Sequence, residues 1–167
     1  NDSTPVVTLS TSATSIAENA GTSLTLTATL SNATSEDVTV TLSTSGTGTE
    51  GTDYSTISDI TVSAGSTTGT VSFTPTDDSV YEGNETGIVA ISTVSGGSAT
   101  EDGTQSVTIT ITENESSPTI TLTSSASSIA ENAGSSLTLT ATSSIVADED
   151  ITVTISTSGT GTEGTDY

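Results

Sequence analysis

Residues 24–30 read Leu-Thr-Leu-Thr-Ala-Thr-Leu, and residues 38–42 read Val-Thr-Val-Thr-Leu. In both segments an aliphatic residue alternates with threonine. This period of two predicts β-strands with one buried and one solvated face, because successive side chains of a strand point to opposite sides of the sheet. Threonine also suits the solvated face of a strand. The two segments therefore predict an all-β domain.

Further alternating segments bring the predicted strands of the first 113 residues to seven. They are residues 6–17 (interrupted), 24–30, 38–42, 57–62, 70–73, 88–91 and 107–111. Clusters of Gly, Asn, Asp and Ser, which are typical of turns, separate these segments, and no segment has a helical period. The sequence predicts a seven-stranded antiparallel β-sandwich of immunoglobulin-like architecture.

Comparison of the sequence with itself reveals a repeat. The heptapeptide SIAENAG at residues 15–21 recurs at 128–134, and STSGTGTEGTDY at residues 43–54 recurs letter for letter at 156–167. The offset is 113 residues in both cases, and 39 positions are identical between residues 1–54 and 114–167. A period of this length is the size of one β-sandwich domain. We therefore predict tandem repeats of about 113 residues, with one domain at 1–113 and the N-terminal half of a second, near-identical repeat at 114–167.

The second repeat stops at Tyr167, after sequence for about three strands. Half a sandwich exposes its inner face and buries too little apolar surface to offset the entropy of ordering the chain. We expect this half to be completed either by its own continuation or by strands that a neighbouring subunit donates. The sequence also begins at Asn1 within the repeat pattern, which suggests a processed mature protein or a segment taken from a longer one.

The composition excludes most catalytic chemistry. The chain contains no Lys, Arg, His or Cys, whereas Asp and Glu total 21 and the formal net charge is −21. A catalytic triad, a reactive thiol and a phosphate clamp all need residues that are missing. We therefore predict that the protein is not an enzyme. The absence of cysteine also rules out disulfides, so that a thin aliphatic core needs another source of stability.

The charge restricts the partners as well. Nucleic acid and anionic membrane surfaces bind proteins through Lys and Arg, so we expect neither as a partner. No apolar run approaches the roughly 18 residues that span a bilayer, and we expect no membrane insertion. An acidic surface rich in Ser and Thr resists aggregation. We expect an extracellular or cell-surface location, with neighbouring copies of the same repeat or subunit as partners, including in a homopolymer.

Four motifs in order carry a resemblance to a known family. They are AEN-AG at residues 17–21, GTEGTDY at 48–54, DDSVYEGNE at 77–85 and VTITITENE at 107–115. Together they resemble the Calx-beta domain, which occurs in sodium–calcium exchangers, an integrin beta subunit and many large bacterial surface proteins. The resemblance covers residues 6 to about 115 as a whole domain and 114–167 as the front half of another.

The resemblance implies a calcium site. In calcium-binding members of the family, carboxylates from four chain segments meet at one end of the sandwich. The family often ends in consecutive Asp residues, whereas this chain has Glu113, Asn114 and Glu115, which favours one or two ions over a larger cluster. The matching positions are Glu18, Asp53, Asp77, Asp78, Glu82, Glu113 and Glu115, with Glu131 and Asp166 in the second repeat.

Elementary electrostatics points the same way. Ca²⁺ takes six to eight oxygen ligands, which acidic turns at one end of a sandwich can supply. Two like charges about 4 Å apart repel by roughly 4 kcal/mol at an effective dielectric constant near 20. Since no basic side chain exists in the sequence, only protonation or a cation relieves such a cluster. The alternative interpretation is that these acids are ordinary solvated turn residues.

Near-identical tandem domains are suited to long proteins built by repetition of one unit. The sequence thus favours a structural repeat module of a long extracellular stalk or filament, made rigid by calcium at the end of the domain next to the following repeat. The alternative is a calcium-dependent adhesion or ligand-binding module of a cell-surface protein.

Overall fold

The computed structural model describes residues 3–132 and 134–167. The first two residues of the predicted first domain, and Ala133 in the second SIAENAG heptapeptide, lie outside the described residues. A turn of 3-10 helix, Glu18–Ala20, follows the second strand. The strands in chain order are β1 (Val6–Thr11), β2 (Ser15–Ala17), β3 (Leu24–Leu30), β4 (Val38–Gly46), β5 (Ile60–Val62), β6 (Thr68–Phe73), β7 (Val80–Tyr81), β8 (Glu85–Ser95), β9 (Thr100–Glu101), β10 (Ser106–Thr112), β11 (Ile120–Ser124), β12 (Leu139–Ser143) and β13 (Val146–Ala147).

The first repeat is built from two sheets. One has the strand order β6-β3-β1-β9 and the other β2-β10-β8-β4-β5. The aliphatic positions of the alternating segments are buried in one core cluster that includes residues of both sheets, such as Leu26 and Val40. The predicted all-β sandwich is therefore confirmed. Within residues 3–132 and 134–167, no helix is long and apolar enough to cross a membrane.

The sheets are mixed, whereas the sequence predicted wholly antiparallel ones. β1 pairs in parallel with β9, and β2 pairs in parallel with β10. The reason is that the chain changes sheets at the break between β1 and β2, so β2 runs alongside β10 in the other sheet. Alternation predicts which face is buried but contains no information about the direction of the neighbouring strand.

The number of strands differs too. In the described part of the first repeat, ten strands replace the seven predicted. The three additional strands come from the division of residues 6–17 into β1 and β2 and from the short strands β7 and β9. A strand of two residues is too short to show a period, and only its partner defines it.

The core is thin and aliphatic except at one end. There the rings of Tyr54 and Phe73 stack with their centroids 4.6 Å apart and their planes 21° from parallel. Both side chains are fully buried. They supply bulk that Val, Leu and Ala cannot, and such a pair adds about 0.5–1.5 kcal/mol beyond its area burial.

The described part of the second repeat forms only a fragment of this architecture. β11 and β12 pair in the register of β1 and β3, since Leu122 lies opposite Ala141 as Leu9 lies opposite Ala28. Residues 151–155 correspond to the start of β4 but form no strand. In the first repeat, β4 is held by β8 and β5. The counterparts of those two strands would fall after Tyr167, so nothing in the described chain pairs with residues 151–155.

Candidate metal centre

The parallel pairing of β2 and β10 places two glutamates side by side. Ala17, the last residue of β2, lies opposite Thr112, the last residue of β10. Both strands run in the same direction, so the next residues, Glu18 and Glu113, leave the sheet at the same edge. Glu18 is buried although its side chain is a carboxylic acid, and its Oε1 accepts a hydrogen bond from the Asp78 backbone N–H at 3.1 Å.

The antiparallel partner of β10 brings further carboxylates to this edge. β8 begins at Glu85, which lies opposite Ile111 near the end of β10. The turn that leads into β8 is tied to Glu113, whose Oε2 accepts the backbone N–H groups of Glu82 at 2.7 Å and Gly83 at 2.8 Å. The start of β8 and the end of β10 therefore present their acids together.

A local turn positions Asp53. β4 ends at Gly46, opposite Gly87 of β8, so the loop after β4 starts beside the acidic edge. Within that loop Asp53 Oδ2 accepts the backbone N–H of Thr49, four residues earlier, at 2.6 Å, so residues of the loop itself close the turn. Asp53 is buried by this turn.

Three overlapping groups of carboxylates result. In each group, one carboxylate oxygen of every member lies within 4.8 Å of the others. Glu18 belongs to the first two groups and Glu82 to the last two, which makes the set continuous. The groups are Glu18, Glu113 and Glu115; Glu18, Asp78 and Glu82; and Asp53, Glu82 and Glu85.

Glu113 is held in its charged form by backbone donors. Its burial favours the neutral acid, but the N–H groups of Glu115, Glu82 and Gly83 outweigh that effect, and the pKa of Glu113 is lowered to about 2. Carboxylates that accept several N–H bonds behave in this way. The neighbouring Glu113 carboxylate raises the pKa of Glu115. The Oε2 atom of Glu115 is buried and has no hydrogen-bond partner in the described part of the chain.

The other members of the cluster are harder to ionise than usual. Burial, followed by the charges of Asp53 and Glu85, raises the pKa of Glu82 to about 7. Burial and the neighbouring Asp53 raise the pKa of Glu85 to about 7 as well. Burial is also the main cause that raises the pKa of Glu18. Burial is thus the largest cause of each pKa shift, and the repulsion among carboxylates that lack a counterion adds to it.

These residues fit a hard divalent cation. They offer carboxylate oxygens only, which is the donor chemistry that Ca²⁺ prefers. Glu115 Oε2 is an orphaned buried acceptor that a cation would satisfy, and the sequence holds no Lys, Arg or His to take that place. When bound, Ca²⁺ would supply the positive charge that lets Glu18, Glu82 and Glu85 ionise together.

The structure brings together most of the acids that the resemblance indicates. Glu18, Asp53, Asp78, Glu82, Glu113 and Glu115 all belong to one of the three groups. Asp77 is exposed and belongs to none of the three groups. Glu131 and Asp166, in the described part of the second repeat, are also exposed and also belong to none. None of the three groups among the described residues includes an acid of residues 116–167.

Sequence reasoning missed Glu85. The residue is the last letter of the DDSVYEGNE motif, and it begins β8 directly opposite the end of β10. Its position in the motif was a usable signal. Its proximity to Asp53 depends on the pairing of β8 with β4, which the motif does not specify.

A two-sheet β-sandwich with a carboxylate cluster at one end defines the class of protein. The family model described as the Calx-beta domain matches residues 1–115 and, a second time, residues 113–167. The chain belongs to the Calx-beta domain family. Among curated proteins no match is found.

Two solved structures are similar to this chain in fold. The apo form of the Calx CBD1 domain is 18% identical with a TM-score of 0.53, and the match covers 67% of this chain and 99% of that one. The CBD12 structure from CALX1.2 is 20% identical with a TM-score of 0.51, and the match covers 59% of this chain and 40% of that one. Identities this low support the shared sandwich fold alone.

Proposed function

We propose that this chain is a non-catalytic, calcium-binding repeat module of a long extracellular stalk or filament. The observation that carries the proposal is the continuous set of carboxylates at the end of the first sandwich, with Glu115 Oε2 buried and unpartnered beside it in the described residues. The composition supports a structural role, since the sequence lacks His, Cys, Lys and Arg.

The position of the cluster connects it to stiffness. Glu113 and Glu115 follow β10 directly and lead into β11 of the second repeat. A cation held by Glu18, Glu113 and Glu115 would therefore fasten the linker to the edge of the first sandwich. We infer that calcium restricts the angle between successive repeats, which turns a flexible string of domains into a rod.

The test is a comparison of the chain in Ca²⁺ and in chelator. At a Ca²⁺ concentration about 100 times the Kd, binding to the native state adds roughly 2.7 kcal/mol to the free energy of unfolding. That is a large share of the 5–15 kcal/mol typical of a domain. We expect calorimetry to give a higher melting temperature in Ca²⁺, and small-angle scattering to give a narrower distribution of lengths.

Matched additions of Mg²⁺ control for ionic strength. Mg²⁺ demands a smaller octahedral shell and keeps its waters, so it should stabilise the chain less than Ca²⁺ does. Identical melting and scattering curves in Ca²⁺ and chelator would show that the carboxylates bind no calcium. A melting shift without a scattering change would retain the calcium site and refute the role in stiffness.

A further inference from the structure

The second repeat contacts the first through the backbone of β13. This strand pairs in parallel with β7, with Val146 opposite Val80 and Ala147 opposite Tyr81. The backbone N–H of the next residue, Asp148, donates a hydrogen bond to the Tyr81 carbonyl at 3.2 Å. The β7 edge of the first repeat, which is formed by Val80 and Tyr81, is therefore a docking strand for the second repeat.

Side chains add to this contact around the ring of Tyr81. The Ser117 hydroxyl, in the linker between the repeats, donates to the Tyr81 hydroxyl at 3.2 Å. Beside Tyr81 lies a cavity of about 250 Å³, whose lining includes Pro118, Ala147 and Glu149 of the second repeat. The second repeat thus contacts β7 with two segments, one just before β11 and one around β13.

The first repeat has the same two segments at the end of its sandwich away from the carboxylate cluster. At the offset of 113, residues 3–5 correspond to 116–118 and residues 32–36 correspond to 145–149. The first segment precedes β1 and the second follows β3, whereas the cluster lies where β10 ends. We call the surface formed by residues 3–5 and 32–36 the far-end surface. It corresponds to the surface of the second repeat that docks on β7.

Hydrogen bonds hold the two segments side by side in the same way in both repeats. The Val6 N–H donates to Ser31 Oγ at 3.0 Å. Its counterpart, the Thr119 N–H, donates to Ser144 Oγ at 2.9 Å. The two serine N–H groups donate in return to the carbonyls of Val6 and Thr119, at 2.9 Å in each repeat. The backbone of the far-end surface is therefore already arranged as it is in the repeat that docks.

The far-end surface borders an open cavity. The volume of this cavity is about 900 Å³, and its lining includes Pro5, Thr34 and Glu36. These residues are the counterparts of the three second-repeat residues that line the cavity beside Tyr81. The same three positions therefore border a recess in both repeats, and in the second repeat Tyr81 forms part of its wall.

The groups that bind Tyr81 also have counterparts on the far-end surface. Thr4 is exposed and keeps the hydroxyl of its counterpart, Ser117. Ser35 corresponds to Asp148, and among the described residues the Ser35 N–H has no hydrogen-bond acceptor. The first repeat therefore presents one hydroxyl and one backbone donor in the places where the second repeat uses them.

We propose that the far-end surface of the first repeat binds the β7 edge of another copy of that repeat, with residues 33–34 pairing with Val80 and Tyr81 as β13 does. Because the two surfaces differ, repeats that join in this way associate head to tail, which is the geometry of an open filament. This inference rests on the filament part of the proposed function, and it needs no bound calcium.

The charge of the two surfaces sets the conditions for association. Glu36 lies on the far-end surface and Glu82 directly follows β7, while the sequence contains no basic residue to pair with either. Salt screens the repulsion between exposed charges, with a Debye length of about 10 Å at 0.1 M and about 3 Å at 1 M. We therefore expect the affinity to rise with ionic strength.

The test needs a free β7 edge, because β13 occupies the one in the full chain. Residues 1–115 supply it, since all the buried hydrophobic residues of the described chain lie between Val7 and Ile111. The full chain with Asp148→Pro is a second source, because proline lacks the N–H that donates to Tyr81. Magnetic resonance would follow the amides of labelled full chain as either unlabelled protein is added in chelator and high salt.

We expect saturable shifts of the amides of Thr4, Ala33 and Ser35. Thr4→Val in the labelled chain should weaken binding by about 2- to 10-fold, as the loss of one hydrogen bond does. Tyr81→Phe in the added protein should have the same effect, and the two together should weaken binding no further, because both remove the same bond. Thr108→Val, on the exposed face of β10, is the matched control and should leave the affinity unchanged.

The outcomes separate this inference from the calcium-binding function. If neither source of β7 shifts the amides of the far-end surface, the inference is overturned and the calcium site stands. Shifts confined to residues 120–155 would show binding to the exposed apolar side chains of the second repeat and would also overturn it. Fully additive effects of Thr4→Val and Tyr81→Phe would contradict the docking geometry. Association in chelator by a chain that binds no Ca²⁺ would support the inference and refute the calcium-binding function.

Discussion

The two repeats place the same residues in opposite environments. Leu26 and Leu139 occupy equivalent positions in nearly identical segments, yet their side chains are 0% and 53% exposed. Val40 and Val153 differ likewise, at 0% and 40%. In the first repeat Leu26 and Val40 enter one core from opposite sheets, and β8 and β10 form the middle of the sheet that Leu26 faces and that contains Val40. The described part of the second repeat has no strands equivalent to β8 and β10. The local sequence therefore defines which face of a strand is apolar, but strands distant in the sequence are needed to bury that face.

Local structure survives where burial does not. Asp166 Oδ2 accepts the Thr162 N–H at 2.7 Å, as Asp53 Oδ2 accepts the Thr49 N–H at 2.6 Å. The turn thus closes in both repeats without help from the core. Tyr54, which follows the turn, is 1% exposed, whereas Tyr167 is 59% exposed. The turn forms without the rest of the sandwich because its hydrogen bond lies within the turn. The burial of the neighbouring tyrosine ring does depend on the rest of the sandwich.

The largest expected effect is a difference in the free energy of unfolding between variants of Leu26 and of Leu139. Leu26→Ala removes a fully buried side chain and leaves a cavity, so we expect the free energy of unfolding of the first repeat to fall by about 2–5 kcal/mol. Leu139→Ala removes an exposed side chain and should change that free energy by no more than about 0.5 kcal/mol. Denaturant unfolding followed by circular dichroism measures both values.

An equal loss of stability in the two variants would contradict the comparison. It would mean that residues 114–167 are covered in solution, for example by a second copy of the chain. Sedimentation at several protein concentrations would then identify the association.

The next effect concerns calcium. Asp53 belongs to a carboxylate group and Asp166 does not, although their turns are alike. We expect Asp53→Asn to lose most of the roughly 2.7 kcal/mol that Ca²⁺ at about 100 times the wild-type Kd contributes. Asp166→Asn should keep that contribution. Melting temperatures with Ca²⁺ and with chelator measure it, and equal losses would place the bound ion elsewhere.

A smaller effect distinguishes the adjacent acids Asp77 and Asp78. Asp78 lies in a group with Glu18 and Glu82, while Asp77 is exposed outside all three groups. We expect Asp78→Asn to weaken Ca²⁺ binding about tenfold, which corresponds to about 1.4 kcal/mol. Asp77→Asn should leave the affinity unchanged. A reversed order in calorimetric titrations would show that the turn rearranges when the ion binds.

The smallest effect is the pH dependence of the chain in chelator. The folded state retains protons on Glu82 and Glu85 up to about pH 7, whereas an unfolded chain releases them near the ordinary value of 4.5. Stability should therefore fall as pH rises between these values. Glu113, whose pKa is lowered to about 2, has the opposite effect, and its contribution is lost as pH falls from 4.5 toward 2.

Melting temperatures between pH 4 and pH 8 in chelator measure this dependence. Glu85→Gln should flatten the fall, and Glu131→Gln, in the second repeat, should not. Saturating Ca²⁺ should also remove the fall, because a bound cation favours the ionised carboxylates. A wild-type chain whose stability rises steadily to pH 8 in chelator would contradict the repulsion within the cluster.

Much of the fold was predictable because alternation is a local property. Leu24 to Leu30 alternate in the sequence, and their side chains alternate between the core and the surface. The mixed sheets were not predictable, because the break after β1 does not reveal that β2 pairs with β10 rather than with a strand of the first sheet. The short strands β7 and β9 exist only through their partners.

The candidate site divides in the same way. The resemblance indicated Glu18, Asp53 and Glu82 from motifs. It also indicated Asp77, which the fold leaves exposed, and it did not indicate Glu85, which the fold brings to within 4.8 Å of Asp53 and Glu82. A motif gives the order of acids along the chain, whereas the distance between them depends on strand register.

By itself, the sequence determined the strand faces, the closed turn around Asp53, the recurrence of residues 1–54 at an offset of 113 and the absence of any basic counterion. These properties depend on neighbours within a few residues or on composition. Only the tertiary structure decided that Ala17 lies opposite Thr112, so that Glu18 and Glu113 emerge together, and that Asp148 lies against Tyr81. The physical reason is that backbone hydrogen bonds between distant strands set these distances, and the free energy that selects one pairing is spread over the whole sheet and its buried face.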